Sequence, residues 1–426
     1  FMDNKKIYLV AADMGYGHQR AAYPLLSLSR NGIINLNDYP EIDNWEKSYW
    51  LNSQKSYEKI SYFKRVPVLG ELVFRTMDYF QKIDAFYPRR DLSKSTLQQK
   101  LFFQAVKKGV GKKLIESLNK EVLPLVTTFF VAAYCAEYYN YQGLIYCVVC
   151  DADISRAWAP INPQSSRIIY LCPNERVGER LKEYGVSSDK IRITGFPLPI
   201  DNLGPDDSLL KNDMAIRLGG LDPRGVFCYK YKSLLISLFP EIQPAYRPLE
   251  LTFAVGGAGA QREIGALILR RLEASIKSGK IKFNLVAGSR ADVNEYFKKA
   301  VLNLGLNDND NVRIIYHPQK MEYFRLFNLC LRKTDILWTK PSELSFYTGL
   351  GLPIIMSEPV GAQEKFNREW LLSIGAAFDE INPEFVNEWL FDWLDDGRLA
   401  RASLNAYLHA GHQGVKNIEK EIFSNF

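Results

Sequence analysis

Residues 11–23 read AADMGYGHQRAAY and follow the apolar run IYLVAA. Glycines let a backbone approach a ligand closely, and a helix after them would offer unpaired N–H groups and the positive end of its dipole. A neutral His18 imidazole in such a loop could accept a proton from an alcohol near neutral pH, although a purely structural histidine is the alternative. Proline is tolerated only in a first helical turn, so Pro24 predicts a regular helix that begins near Tyr23. Beside this candidate base, Gly15, Tyr16 and Gly17 are the residues of the loop expected on the side of the alcohol acceptor.

A second glycine-rich turn lies in FAVGGAGAQ at residues 253–261, between a predicted strand and a predicted helix. Backbone amides of Gly256, Gly257 and Gly259 could cradle a phosphate there, although many α/β proteins use such glycines only to turn tightly. The chain has neither GxGxxG in the expected place nor GxxxxGK[ST]. This absence argues against a nicotinamide cofactor and against ordinary NTPase chemistry.

The segment DILWTKPSELSFYTGLGLPIIMSEPVGAQEKFNREWL at residues 335–371 carries two further polar loops. Pro341 and Ser342 predict a helix start after a strand, with Glu343 in a first turn whose free amides could hold a diphosphate. The loop after the next strand could supply groups that bind hydroxyls, and capped helices with surface polar residues are the alternative. Its polar candidates are Gln363, Glu364 and Asn367.

The segment CDADISRAWAP at residues 150–160 contains DAD, which is similar to the metal-binding DxD element of some transferases. That element belongs to a different, single-domain architecture, so we assign Asp151 and Arg156 to the acceptor side instead. Cys147 and Cys150 form CxxC within a predicted strand, where side chains three apart point to opposite faces. No second cysteine pair accompanies them, so we expect core thiols and no metal site.

These loops need sheets to position them, and the sequence predicts two. Its 426 residues, 47% hydrophobic and 24% charged, are typical of a globular protein with about two domains. Short β-branched runs alternate with helical patterns in both halves, which favours parallel sheets covered by helices. The linker-like ITGFPLPIDNLGPDD predicts domains at 1–198 and 199–426, the first with a basic, aromatic insertion at about 45–120.

The net charge of +6 is unevenly distributed, because residues 55–113 hold 14 Lys or Arg against 5 Asp or Glu. Amphipathic helices with a solvated basic face explain this segment, and an anionic membrane surface is the alternative partner. Nucleic acid is a weaker candidate, and we expect none. With no signal pattern and no apolar run of the ~20 residues that span a bilayer, we expect a cytoplasmic protein, peripheral at most to the inner membrane face.

Several motifs resemble those of one enzyme family. GYGH at 15–18 looks like its GGGH or TGGH loop, CDADISRAWA is similar to its TDxxxHxxWV segment, and SDKIRITGFPLP to its ERIRVTGIPV run. TKP at 339–341, GLP at 351–353 and the following QExxN match its second domain in spacing. Over roughly residues 5–380 the chain resembles the two-domain GT-B glycosyltransferases of the family that contains monogalactosyldiacylglycerol synthase and the peptidoglycan N-acetylglucosaminyltransferase.

The resemblance implies two Rossmann-like domains facing a cleft and an inverting transfer of sugar to a hydroxyl of a lipid-linked or other hydrophobic acceptor. The implied donor is a nucleotide diphosphate sugar, with a UDP-sugar preferred and no metal or cofactor. His18 would be the catalytic base or an oxyanion contact, with Glu343 as a second catalytic group. The implied nucleotide-sugar-binding residues are Gly256, Gly257, Gly259, Ser289, Arg290, His317, Lys340, Ser342, Glu343, Gln363, Glu364 and Asn367.

The chain also departs from the family pattern. TKPSE replaces TKPGG, and Phe346 stands where the family has an acid, with Glu343 one turn earlier as the candidate replacement. Two other functions are compatible with the same architecture: a nucleotide-sugar epimerase, and a binding protein without turnover.

Overall fold

The computed structural model describes residues 6–63, 83–242, 247–256, 259, 261–359 and 361–424. Its contacts divide the chain into two compact units. The first comprises Phe1–Pro197, Gly361–Phe366 and Gln413–Phe426, and the second comprises Leu198–Val360 and Asn367–His412. The chain passes from the first unit to the second between Pro197 and Leu198, within the linker-like segment. The stretch Gln413–Phe426 clusters with the first unit, although the sequence analysis placed it in the second domain.

The first unit contains a six-stranded parallel sheet. Its strands are β1 (Ile7–Ala11), β2 (Ser29–Asn35), β3 (Leu125–Thr127), β4 (Ile145–Val148), β5 (Ile168–Cys172) and β6 (Ile191–Ile193). They lie in the order β2-β1-β3-β4-β5-β6. Most residues of the central strands are buried, as expected for a parallel sheet with helices on both faces.

Helices cover this sheet and build the insertion. They are α1 (Gly17–Ala22), α2 (Asn44–Phe63), α3 (Leu97–Lys107), α4 (Lys112–Leu118), α5 (Phe130–Tyr138) and α6 (Glu175–Glu183), with 3₁₀ turns at Tyr23–Leu28, Arg156–Trp158, Pro163–Ser165 and Ser188–Lys190. Helix α1 therefore begins at Gly17 and not near Tyr23. Pro24 instead falls at the start of the 3₁₀ turn, where its missing N–H costs no hydrogen bond.

The second unit also contains a six-stranded parallel sheet. Its strands are β7 (Leu249–Ala254), β8 (Ile281–Gly288), β9 (Val312–Tyr316), β10 (Ile336–Thr339), β11 (Ile354–Met356) and β12 (Ala377–Asp379). Their order is β12-β11-β10-β7-β8-β9, the doubly wound arrangement of a dinucleotide-binding domain. Two Rossmann-like α/β domains, the predicted fold class, are thus confirmed.

The remaining helices follow in chain order. They are α7 (Ile200–Leu203), α8 (Ser208–Leu221), α9 (Val226–Lys230), α10 (Lys232–Leu238), α11 (Arg262–Arg271), α12 (Glu273–Lys277), α13 (Ala291–Asn303), α14 (Lys320–Lys333), α15 (Ala362–Ser373), α16 (Val386–Asp395), α17 (Arg398–His409) and α18 (Gly414–Phe423), with 3₁₀ turns at Glu343–Leu350 and Pro383–Phe385. In the described part of the chain, none of these helices combines the length and the apolar character that a bilayer crossing demands.

Four elements differ from the sequence-based prediction. The apolar and β-branched run LVTTFFV at residues 125–131 predicts one strand throughout, but it contains only the short strand β3, because Phe130 already begins α5. Strands β6 and β12 were not predicted, since each has only three residues and too little alternation to be recognised. The segment after Ser342 is a 3₁₀ helix and not a regular α-helix.

Candidate functional site

Both sheets have a topological switch point, where ligands of open α/β sheets bind beyond the carboxyl ends of the strands. In the first unit this point lies between β1 and β3, and His18 follows β1 while Thr128 follows β3. In the second unit it lies between β7 and β10, which Gly256 and Lys340 follow. The candidate residues of each unit therefore lie where ligands of such a sheet bind, and we call each group a candidate site.

Thr128 holds His18 by two hydrogen bonds. Nδ1 of His18 lies 2.6 Å from the carbonyl oxygen of Thr128, and the Thr128 hydroxyl donates to the carbonyl oxygen of His18 at 2.8 Å. A carbonyl oxygen can only accept, so Nδ1 carries the proton. In the neutral imidazole Nε2 is then the nitrogen that can take up a proton.

Aromatic rings surround the imidazole. The ring centroids of Phe129 and Trp158 lie 4.9 Å and 6.3 Å from that of His18. The sulfur of Cys150 lies 4.0 Å from Nδ1. The half-buried His18 side chain thus sits against apolar groups that exclude water from one side of the ring.

The path of the loop before His18 depends on a glycine at position 15. Gly15 is exposed and has φ +117°, in the region that other residues rarely adopt, and a Cβ there would meet no neighbour within 4 Å. Gly17 is the first residue of α1. Tyr16 is buried, with the guanidinium carbon of Arg20 5.8 Å from its ring centroid. Of the three predicted acceptor-side residues in this loop, Tyr16 therefore packs inside the unit.

Arg156 has a structural environment that does not agree with the predicted acceptor-side role. The side chain is buried and donates to the carbonyl oxygens of Ser93, Ala159 and Pro160. Burial lowers the pKa of its guanidinium. These four hydrogen bonds to backbone carbonyls use most of the guanidinium donors, so Arg156 braces the loop after β4.

The acidic segment before Arg156 has two kinds of carboxylate. Asp151 is half-buried. Asp153 is buried and forms ion pairs with Arg180 and Arg176, each at 2.9 Å. The DAD motif is thus partly a scaffold, because Asp153 fixes this loop to α6.

In the second unit, Gly256 lies against Lys340. A Cβ on Gly256 would overlap Cε of Lys340 and lie 3.3 Å from its Nζ, so a side chain here would displace the end of the lysine. The Gly259 N–H donates to the Gly256 carbonyl at 2.8 Å and Gly259 has φ +68°, which gives a tight turn. Gly257 lies outside the described residues. The turn and the lysine together are suited to an anionic group.

Further polar residues follow β8 and β9. Ser289 and Arg290 come directly after β8, and Arg290 donates to Asp292 at 3.0 Å. The Arg290 guanidinium lowers the pKa of that carboxyl. His317 follows β9, and its Nδ1 accepts the N–H of Gln319 at 3.2 Å.

Ser342 and Glu343 begin the 3₁₀ helix that replaces the expected α-helix. The Ser342 N–H is directed back to the Lys340 carbonyl at 2.8 Å, and its side chain forms no cap hydrogen bond. Glu343 is half-buried. Phe346 is buried and its ring centroid lies 4.9 Å from that of Trp370, so the position where the resembling family has an acid belongs here to the core.

The last predicted loop splits between two environments. Gln363 and Glu364 are half-buried within the stretch Gly361–Phe366 that clusters with the first unit. Asn367 is buried in the second unit, where its side-chain amide donates to the Pro341 carbonyl at 3.2 Å. Asn367 thus ties α15 to the loop after β10.

Sequence reasoning missed Thr128, Phe129 and Trp158 around the histidine. Thr128 could have been found, because it directly follows a strand that a parallel sheet places beside β1. The aromatic residues had no such signal, since their patterns are equally typical of a core. Among the described residues, no group of three or more His, Cys, Asp or Glu side chains is arranged to hold a metal ion.

Comparisons with known proteins agree with this architecture. A family model described as a domain of unknown function (DUF6938) matches residues 291–381. A processive diacylglycerol beta-glucosyltransferase of Bacillus pumilus is 22% identical over 402 residues, covering 92% of this chain and 88% of the relative. The protein of the same name from Bacillus subtilis is 21% identical over 405 residues, with the same coverage.

Among solved structures, that of Acinetobacter baumannii MurG matches with a TM-score of 0.50 and 13% identity, covering 98% of this chain and 99% of MurG. The two Rossmann-like units and this match give the chain the GT-B fold. The predicted resemblance to glycosyltransferases of that fold is confirmed, and the named relatives support a glycosyltransferase.

Proposed function

We propose that the protein transfers a sugar from a nucleotide diphosphate sugar, with UDP as the preferred nucleotide, to a hydroxyl of a lipid acceptor. The observation that carries the proposal is the tautomer of His18: Nδ1 donates to the Thr128 carbonyl, so Nε2 is the proton acceptor beyond the carboxyl end of β1. The similarity to diacylglycerol glucosyltransferases over 92% of the chain supports the choice of acceptor.

The acceptor half supplies the base. Nε2 of His18 takes the hydroxyl proton while the acceptor oxygen bonds to the anomeric carbon and the bond from that carbon to the diphosphate oxygen breaks. Attack on the face opposite to the leaving group inverts the anomeric configuration. The rings of Phe129 and Trp158 keep water from one side of the imidazole, which favours a lipid alcohol over hydrolysis.

The donor half would stabilise the leaving group. The Lys340 ammonium beside Gly256 is suited to the charge that develops on the departing diphosphate. Glu343, at the start of the 3₁₀ helix, is a candidate to accept hydrogen bonds from hydroxyl groups of the donor sugar. On this proposal positive charge of the protein takes the place of a metal ion.

The basic, aromatic insertion at about 45–120 would bind the membrane surface that holds the lipid acceptor. Helix α3 exposes Leu97 and Leu101 beside the exposed Lys100 and Lys107, and Trp45 of α2 is also exposed. Apolar side chains flanked by lysines are typical of a surface that lies on anionic lipid. The part of the 55–113 segment at 64–82 lies outside the described residues, so the predicted membrane surface is proposed on α2 and α3.

The test combines binding and turnover. The full-length protein is incubated with UDP-, GDP-, CDP- and dTDP-sugars, and a ligand of the folded state raises the melting temperature. His18→Ala should keep the donor-induced shift but lower kcat about 10²- to 10⁴-fold with diacylglycerol in mixed micelles. His409→Ala, a change of an exposed histidine on α17, is the matched control and should leave kcat unchanged.

The products separate the alternatives. Transfer gives a glycolipid, whose anomeric configuration NMR compares with that of the donor, and full activity in EDTA is expected. An altered nucleotide sugar without acceptor would identify an epimerase. A thermal shift with no product in the parent protein would identify a binding protein without turnover, and either result contradicts the proposal.

A further inference from the structure

Helices α9 and α10 expose apolar side chains, although the pair is well anchored. Tyr229 is 84% exposed and Ile236 65%, and Val226 and Leu234 are also exposed. We call these four residues, with Lys230 and Lys232, the α9–α10 surface. Single exposed apolar residues are common on protein surfaces, but these four lie on two short helices of 5 and 7 residues.

The opposite face of the same helices packs on the second unit. Phe227 and Phe239 are buried, and the Phe239 ring centroid lies 4.8 Å from that of Tyr407 in α17. A Cβ on Gly397 would lie 3.3 Å from that of Phe227. The two helices are therefore fixed on α16 and α17, and the outward residues are held in place on a supported element.

The charged side chains within residues 223–240 are all cationic, and Asp222 and Glu241 flank this stretch. Residues 223–240 contain three cations, Arg224, Lys230 and Lys232, and no Asp or Glu. Arg224 pairs with Asp395 of α16. Lys230 and Lys232 are exposed and form no ion pair with any residue that the structure describes, although Lys230 lies 5.4 Å from the Tyr231 ring centroid.

We propose that the α9–α10 surface binds an anionic lipid bilayer, as a contact of the second unit separate from that of the insertion. The exposed tyrosine and aliphatic side chains are suited to the interface, and the lysines to lipid phosphates. A stable protein interface needs about 800 Å² on each partner, more than four apolar side chains on helices of 5 and 7 residues offer. This proposal rests on the proposed function in one respect, which is that the acceptor of the sugar is a lipid.

Sedimentation of the full-length protein with vesicles tests this contact without sugar or acceptor. Vesicles contain phosphatidylcholine alone or phosphatidylcholine with phosphatidylglycerol. The double variant Tyr229→Ser/Ile236→Ser should bind mixed vesicles about tenfold less tightly, because two inserting side chains are lost. Lys230→Glu/Lys232→Glu should lose about tenfold or more on mixed vesicles and little on neutral ones.

Leu302→Ser is the matched control, since Leu302 on α13 is 62% exposed in the same unit, and its vesicle binding should equal that of the parent. Melting temperatures of the variants should stay close to that of the parent because the changed side chains face solvent. Parent-like sedimentation of both double variants would overturn the proposal. A concentration-dependent dimer that only these variants abolish in light scattering would overturn it as well, because the surface would then join two copies.

Failure of this contact and failure of the proposed function are distinguishable. The variants should keep the donor-induced thermal shift and the turnover of a detergent-solubilised acceptor, since the α9–α10 surface holds no residue of either candidate site. Loss of turnover in micelles together with unchanged sedimentation would assign these residues to the reaction and contradict a bilayer contact.

Discussion

Thr128 contacts His18 twice, and the two contacts constrain different parts of it. The backbone carbonyl fixes the tautomer, and the hydroxyl fixes the position of the first turn of α1. Thr128 is fully buried, and its N–H donates to the Val10 carbonyl at 3.1 Å, so the restraint extends to β1. At this scale the catalytic candidate depends on a residue that carries no chemistry of its own.

We therefore expect Thr128→Val to lower kcat about fivefold to tenfold, the effect of losing one hydrogen bond that orients a base. KM for the donor should not change, because the substitution lies in the other unit. Steady-state kinetics in micelles measures both constants. Thr128→Ser restores the hydroxyl and should restore kcat, and a serine variant as slow as the valine variant would contradict the positioning role.

Gly256 and Lys340 offer a second test at this scale. Gly256→Ala should displace the Lys340 ammonium and weaken nucleotide-sugar binding about fivefold to tenfold, because a charge-assisted contact to phosphate is lost. Isothermal titration gives the affinity. In a Lys340→Ala background the same glycine change should have almost no further effect, and independent, additive losses would show that the two residues do not act together.

At the scale of elements, Glu46 joins the insertion helices. Its carboxylate on α2 accepts the Tyr39 hydroxyl at 2.8 Å and the N–H of Gly111 at 2.9 Å, where α4 begins. Gly111 has φ +73°, and a Cβ there would lie 2.6 Å from the sulfur of Cys135. Desolvation by burial raises the pKa of Glu46, and its hydrogen bonds only partly offset this effect.

The raised pKa predicts a pH dependence of stability. A carboxyl group that holds its proton more tightly in the folded state stabilises the fold at low pH, and this contribution is lost as pH rises from about 4.5 through the raised value. Glu46→Gln keeps an acceptor oxygen for the Gly111 N–H without a charge, and its amide group donates to the Tyr39 hydroxyl oxygen instead of accepting from it. Its free energy of unfolding, from urea titrations across this range, should fall less with rising pH than that of the parent.

Burial also raises the pKa of Glu380 and Asp335, and both groups are present in the parent and in Glu46→Gln. The difference between the pH slopes of the two proteins therefore reports the contribution of Glu46 alone. An identical pH slope for parent and Glu46→Gln would contradict a buried carboxyl at this junction.

At the scale of the whole molecule, the chain returns to its first unit at the end. Helix α18 packs its apolar face into the core beneath β1, with Ile418 and Ile422 fully buried beside Leu9 and Val126. Asn417 donates to the Thr194 carbonyl at 2.9 Å, and Arg192 pairs with Glu421 at 3.0 Å. The last helix thus contributes to the sheet that carries His18.

Ile418→Ala should cost about 2–4 kcal/mol of stability, because it leaves a cavity in a packed core. Limited proteolysis should then cut sites in the first unit earlier than in the parent. Leu302→Ala removes an exposed leucine and should leave the cleavage pattern unchanged. Early cleavage confined to the second unit would show that α18 stabilises that unit instead.

The sequence alone determined which segments are strands ending in polar loops, because buried parallel strands are continuous apolar runs and glycines interrupt them at the edge. It thereby predicted the two sheets, the His18 loop and the Gly256 turn. Tertiary structure decided the roles of individual side chains. Arg156 and Asn367 are polar in the sequence but bind backbone carbonyls inside the fold, while Thr128 looked like part of a strand and holds the histidine. Periodicity records which face of an element is buried, whereas a hydrogen-bond partner 110 residues away depends on how the sheet is wound.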